Sequence, residues 1–237
     1  KDRRAVTEQF ISIKGVNKIN FKIKDVEIKN VGRGNEPVRL GGLKKNSFRI
    51  VVRKLDERRN LEIGKIVNYF DKQRFSNKNI DIGRSLLKRD YKELCRLLGL
   101  KNKESVFNFD RRILKFALSS FQSYVFNKAV KKCLEDNKIK LTTLPIISFD
   151  TEFKNKSVEK IYKKIMDEEV ITKEDFIFRE MPFLISEGTE RKIFVNASGF
   201  RYIYRKDELN KGRIKCTLWF NLPKGSYGTL VVKKLFG

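Results

Sequence analysis

Few residues in this 237-residue chain can do chemistry, and the first candidate is Asp2. It stands between Lys1 and the pair Arg3-Arg4, and cations that close favour its ionised form. An ionised carboxylate can attack an electrophilic carbon or remove a proton. On composition alone its plainest reading is a solvated surface salt bridge. The chain has no His, which removes Ser-His-Asp and Cys-His catalysis, His-ligated zinc and imidazole proton shuttles. Cys95, Cys133 and Cys216 are odd in number and far apart, so neither a disulfide framework nor a zinc site is expected. Cys95 and Cys133 sit in helical patterns beside Leu and read as core packing. What remains is carboxylates, Lys, Tyr, backbone groups, or a metal held by oxygen alone. An oxygen-ligated Mg²⁺ nuclease would need converging acids. Asp56-Glu57 and Asp167-Glu168-Glu169 are the available sets, and both read as solvated charge runs, so no metal and no cofactor is expected.

The second signal is charge. Lys and Arg total 54 against 29 Asp and Glu, a net charge of +25 spread from end to end. A globular domain this basic repels itself unless a polyanion is its usual partner, so nucleic acid is the leading partner class. Basic pairs such as Lys44-Lys45, Arg58-Arg59, Arg111-Arg112, Lys131-Lys132 and Lys163-Lys164 are candidate phosphate contacts. As a set they imply salt-sensitive binding. Hydrophobic residues make up 40%, which fits a globular chain. No apolar run reaches membrane-span length, so a soluble, cytoplasmic protein with reduced thiols is expected. The chain opens without Met or an apolar leader, and it reads as part of something longer.

These residues need elements to hold them. Alternation predicts a strand over 7–13, closed by a turn at Gly15, and a long strand with a bulge, or two short ones, over 19–31. The glycines and Pro37 between 32 and 42 mark a loop. A strand follows at 48–53, while 60–68 carries no clear period. A helix is expected over 81–98, with Gly99 as its stop. A longer one follows Asp110 as cap, with Ile113, Ala117, Phe121, Val125 and Ala129 on its stripe. Residues 142–153 look irregular around Pro145. A helix capped by Ser157 runs to 169. Short strands are expected at 193–195 and 202–204, a strong one at 214–222, and a terminal helix over 226–236. Strands gather at both ends and helices in the middle, which predicts an α+β domain interrupted by a mostly helical insertion.

Five segments carry a family resemblance. Lys1-Asp2-Arg3-Arg4-Ala5-Val6-Thr7-Glu8-Gln9 resembles the signature G-x-K-D-[RK]-x-A-x-T-x-Q of the tRNA pseudouridine synthase D (TruD) family. The run from Asn68 through Phe70, Gln73 and Arg74 to Phe75 resembles N-Y-F-G-x-Q-R-F-G, with Asp71 and Ser76 where the family has Gly. Asp tolerates a left-handed turn better than most residues, so Asp71 is expected to keep that geometry. The segment 118–127 is similar to L-S-A-x-[QR]-S-x-x-F-N. Leu144-Pro145 with Asp150-Thr151-Glu152 is a looser echo of archaeal and eukaryotic members. The segment 220–229 is close to F-x-L-P-x-G-S-[FY]-A-T. One match would be weak; five in family order are specific.

The resemblance implies a pseudouridine synthase fold, a mixed and largely antiparallel sheet with a central cleft. The catalytic domain would occupy 1–108 and 193–237, without the family's N-terminal part, and a mostly helical inserted domain 109–192. It implies an isomerase acting on tRNA, with the uridine at position 13 as target. Asp2 would be the catalytic residue, Phe70 the ring that stacks on the flipped base, and Asn68 a polar wall of the same pocket. Lys1, Arg3, Arg4, Gln73 and Arg74 would contact RNA. The 223–229 turn would back the cleft. A rival from another class is an RNA-binding protein that keeps the fold without turnover. The carboxylate and the ring argue for the enzyme, since binding needs cations and rings but not Asp2.

Overall fold

The structure, a computed structural model, describes residues 5–16, 23–39, 42–71, 76–136 and 141–237. The chain divides into two compact units, 1–45 and 46–237. In the first, Gly15 has the left-handed φ of 75° that its turn requires. The expected strand over 7–13 does not form. In the described part of 19–31 there is only an isolated bridge between Ile23 and Val26, closed by a 3.1 Å backbone hydrogen bond. Alternation supplies a strand's two faces but not its hydrogen-bonding neighbour.

From Lys45 onward the order is β1 (Lys45–Leu55), β2 (Lys65–Val67), α1 (Asn77–Leu87), α2 (Tyr91–Leu98), α3 (Lys103–Phe107), α4 (Arg111–Glu135) and β3 (Thr143–Ile146). Then come α5 (Lys156–Glu169), β4 (Thr189–Lys192), β5 (Phe194–Asn196), β6 (Ser198–Lys206), β7 (Ile214–Pro223) and α6 (Gly228–Phe236). The strands form a three-stranded sheet in the order β1-β7-β6 and two ribbons, β2-β5 and β3-β4. The pairings with a described register are antiparallel.

Caps explain most helix starts. Asp110 Oδ1 accepts from the Arg112 amide at 2.8 Å and opens α4. Asn155, not Ser157, caps α5, accepting from the amides of Ser157 and Val158 at 2.8 and 3.2 Å. The expected helix over 81–98 is two helices. Arg89 turns left-handed (φ 55°) between them, and its Nη1 donates to the carbonyls of Leu87 and Asp175 at 2.6 and 2.7 Å. Those bonds offset the cost of a left-handed non-glycine residue. Asp90 then caps α2 through the Glu93 amide.

Two cores result. The first joins α1, α4, α5 and β3 around Leu86, Leu114, Phe121, Val125, Leu144 and Ile165. The second lies between the three-stranded sheet and α6, around Leu218, Phe220, Leu222 and Val231. Fully burying one such side chain contributes about 1.5–3 kcal/mol. At the α1–α4 crossing Gly83 lets the helices touch, since a Cβ there would lie 2.8 Å from Phe121 Cβ and against the Ala117 carbonyl.

Candidate active site

The chain leaving β2 enters a cluster built by three other elements. The Asn68 amide donates to the Ile193 carbonyl at 2.7 Å, and its Nδ2 to the Lys192 carbonyl at 3.0 Å. This ties the segment to β4, where Arg191 stands opposite Leu144 of β3. Arg191 Nε donates to the Asn68 carbonyl at 3.0 Å and Nη2 to Asn68 Oδ1 at 2.9 Å. Asn68 is only 4% exposed, so these acceptors are shielded from water. The same guanidinium lies 4.0 Å from the centre of the Phe70 ring. A cation over an aromatic face is attracted by its quadrupole, by about 0.5–2 kcal/mol.

α4 fixes the backbone of Phe70. The Phe70 amide donates to Asn127 Oδ1 at 2.9 Å, and Asn127 Nδ2 returns a bond to the Phe70 carbonyl at 2.8 Å. The side-chain amide thus replaces a neighbouring strand. Phe126 meets the Phe70 ring edge-on, with centres 5.5 Å apart at 82°, and Tyr227 stands 6.5 Å away at 64°. Phe70 is half-buried while Phe126 is fully buried.

The next residue locks this segment to α6. Asp71 is buried and accepts from Thr229 Oγ1 and Lys233 Nζ. The left-handed non-glycine residues described are Asp25, Lys54, Arg89 and Val170. Asp71 is not one of them, so its carboxylate, rather than a turn geometry, accounts for it. A negative charge near the start of α6 also suits the helix dipole. Gly225 has φ +76°, and a Cβ there would sit 3.4 Å from Arg191 Nη1, so this turn passes close to the guanidinium. Ser226 does not cap α6, whose N-cap is Tyr227. The buried Ser226 Oγ has no hydrogen-bond partner among the described residues.

Lys1, Asp2, Arg3, Arg4, Gln73 and Arg74 lie outside the described residues. Asn68 and Phe70 are brought together, and residues 68–71 meet segments 118–127 and 220–229 around the ring through Phe126, Asn127, Tyr227 and Thr229. Sequence reasoning missed Arg191. It belongs to none of the five segments and sits in an all-polar run, Thr189-Glu190-Arg191-Lys192, that gives no period. The Asp150-Thr151 segment braces a turn, with Asp150 Oδ1 accepting from the Gly188 amide at 2.7 Å and Thr151 Oγ1 from the Ser148 amide at 2.8 Å.

Four of the five acids named for a nuclease are held by cations. Glu168 pairs with Lys128 and Lys132 at 2.9 and 2.7 Å, and hydrogen bonds from Lys132 and then Lys128 hold its carboxyl down at about 2. Burial raises Glu169, but bonds from Lys128, Arg84 and Tyr124 outweigh it and leave its pKa below the ordinary range. Asp56 pairs with Arg213 and Glu57 with Arg59. No group of three or more His, Cys, Asp or Glu among the described residues could hold a metal ion. Burial pushes the Cys133 thiol up to about 11, as expected of an inert packed cysteine. Among the described residues no helix is long and apolar enough to cross a membrane.

The sequence model of one family, described as tRNA pseudouridine synthase D (TruD), matches residues 1–105 and 136–235. The chain belongs to the TruD family. It is 25% identical over 345 residues to a probable tRNA pseudouridine synthase D from Thermococcus sibiricus, covering 99% of this chain and 80% of that one. It is 26% identical over 322 residues to a tRNA pseudouridine synthase D from Aquifex aeolicus, covering 100% and 82%. Both alignments are longer than the 237 residues of this chain, so these TruD relatives carry stretches without a counterpart here. The fold resembles the crystal structure of a Methanosarcina mazei protein assigned to TruD, with a TM-score of 0.65 at 19% identity, over 91% of this chain and 74% of that one. The α+β pseudouridine synthase fold expected from the sequence is therefore the fold observed. The family match skips 106–135, which contains all of α4, yet Phe126 and Asn127 of that helix hold Phe70.

Proposed function

We propose that this chain isomerises uridine to pseudouridine in tRNA, at position 13, with Asp2 as its one catalytic carboxylate. The reaction breaks the bond from N1 to C1′, turns the uracil and joins C5 to C1′. The C5 hydrogen leaves as a proton and N1 ends protonated, so the atoms balance with no oxidant, cofactor or metal. Asp2 would either attack C1′ or remove a sugar proton, and both need the ionised form that Lys1, Arg3 and Arg4 favour. A uracil inside folded RNA must be flipped out to be reached. Phe70 is then the ring on which it stacks. Asn68 serves the pocket by holding Arg191, because its own amide is occupied by Arg191 and Lys192. Lys1, Arg3, Arg4, Gln73 and Arg74 would contact the RNA.

The observation that carries this reading is the meeting of two segments inside the family match, at 68–71 and 220–229, with Phe126 and Asn127 of α4 around one half-buried ring. The reading keeps 109–192 as the inserted domain. The passage from the first core at Ile193 to the second at Val195 supports its second boundary. At the first boundary α1 and α2 share a core with α4.

The test is tritium release from unmodified tRNA made with 5-tritiated uridine, since only a reaction that opens C5–H frees the label. Release accompanied by pseudouridine at position 13 is expected. No release from tRNA saturated with the protein would sink the proposal.

A further inference from the structure

One face of the three-stranded sheet is basic, and its strands contribute no acid to it. β1, β6 and β7 contain no Asp or Glu. Side chains alternate across a strand, and Phe48, Ile50, Phe200, Tyr202, Leu218 and Phe220 point into the second core. Their neighbours Arg49, Arg201 and Trp219 therefore share the opposite face. The register sets Arg201 directly across from Trp219. The guanidiniums of Arg49 and Arg201 lie 5.9 and 5.2 Å from the indole centre, one from each flanking strand. Arg205 follows four residues on, about 13 Å along β6 on the same face. Val51 and Ile203 on this face are 39% and 40% exposed, so it is open to solvent.

The two ends of the face differ in what their cations do. Arg53 is neutralised by Asp207 and Glu208 at 2.7 and 2.9 Å, and Lys215 also pairs with Glu208. Around Trp219, neither Arg49 nor Arg201 has a carboxylate partner among the described residues. Contact with an indole holds a guanidinium plane without using any of its five N–H donors. Guanidiniums held in place with donors unspent suit the paired oxygens of phosphates.

We propose that Arg49 and Arg201, ordered by Trp219, form with Arg205 further along β6 a docking surface for the phosphodiester backbone of the RNA substrate. This surface is additional to the residues around Phe70, and the inference rests on the RNA reading above. An acidic protein would match the face in sign, but the chain's net charge of +25 and its family favour RNA.

The test compares the double variant Arg49→Gln with Arg201→Gln against a control of equal charge change, Lys92→Gln with Lys101→Gln. The probe is unmodified tRNA across a salt series. Two lost phosphate contacts should flatten the slope of log affinity against log salt by about 2, and weaken binding about 30-fold near 0.15 M salt. The control should leave the slope within about half a unit. Single-turnover rate at saturating tRNA should be unchanged, and Trp219→Leu should give an intermediate loss of affinity. The proposal is overturned if the double variant binds as the wild type does, which would leave the face to an acidic protein, or if its slope falls no more than the control's. A slower single-turnover rate with unchanged affinity overturns it equally. Failure of the RNA reading itself would show in the wild type, as neither binding nor modification of tRNA.

Discussion

Arg191 should matter to the site more than its absence from every recognised segment suggests. Arg191→Ala removes donors from Asn68 O and Asn68 Oδ1, at 3.0 and 2.9 Å, in a residue only 4% exposed. Each buried acceptor left unpaired costs about 1–3 kcal/mol. The lost contact with the Phe70 face adds about 0.5–2 kcal/mol. Water entering the vacated space recovers part of this, so a net loss of about 3 kcal/mol is expected. For a chain of this size that lowers Tm by about 6–12 °C. The rate per folded molecule should fall as well, because Phe70 and Asn68 lose the group that joins them. Arg191→Lys should recover only part of either loss, since an ammonium cannot donate in a planar fork. Thermal melts beside single-turnover assays measure both effects. If Arg191→Ala melts within about 1 °C of wild type and turns over normally, the guanidinium does not organise this site.

Other perturbations separate the remaining roles. Phe70→Ala should slow single turnover by about 5- to 150-fold, the equivalent of the 1–3 kcal/mol of base stacking, with tRNA affinity held within a few-fold and Phe70→Tyr mild. A Tm drop matching the roughly 3–5 kcal/mol of a lost core ring, with a normal rate per folded molecule, would defeat the stacking role. Gly83→Ala should destabilise by about 1–3 kcal/mol, because the new methyl meets Phe121 and the Ala117 backbone, which cannot swing away. A Tm equal to wild type would show that α1 and α4 can separate at no cost. In acid, Glu168 keeps its charge below its ordinary value of 4.5 while the unfolded chain takes up a proton, so stability should fall as pH drops from 4.5 towards about 2. Glu168→Gln should flatten that part of the Tm–pH curve, and an unchanged slope would place the acid sensitivity elsewhere.

How much of this was legible depends on how local the determinants are. α4 was readable because its apolar stripe and its Asp110 cap are contained in one stretch of sequence. β7 was readable because Cys216, Leu218, Phe220 and Leu222 alternate into one core. The break between α1 and α2 was not, since Leu86, Leu87, Leu94 and Leu97 keep a helical period across it. The turn is made by bonds from Arg89 to carbonyls as distant as Asp175. Asn155 and Ser157 are both good capping types two residues apart, and only the chain direction chooses Asn155. β3 was read as irregular because Pro145 argued against a strand, but it lies in a two-stranded ribbon where a missing donor is tolerated. In the candidate site, Asn68 and Phe70 were singled out through the family pattern. Arg191 was not, because it meets Asn68 from 123 positions away, through a polar strand with no signal of its own.

The central claim is that one carboxylate performs the isomerisation, and replacing that carboxylate tests it most directly. Asp2→Asn keeps size and hydrogen-bonding capacity but removes the charge that attack or proton abstraction requires. Pseudouridine at position 13 would be counted under single-turnover conditions, with tRNA affinity measured beside it. The account predicts conversion by the wild type and none by Asp2→Asn, with affinities within a few-fold of each other. Conversion by Asp2→Asn at the wild-type rate would contradict it.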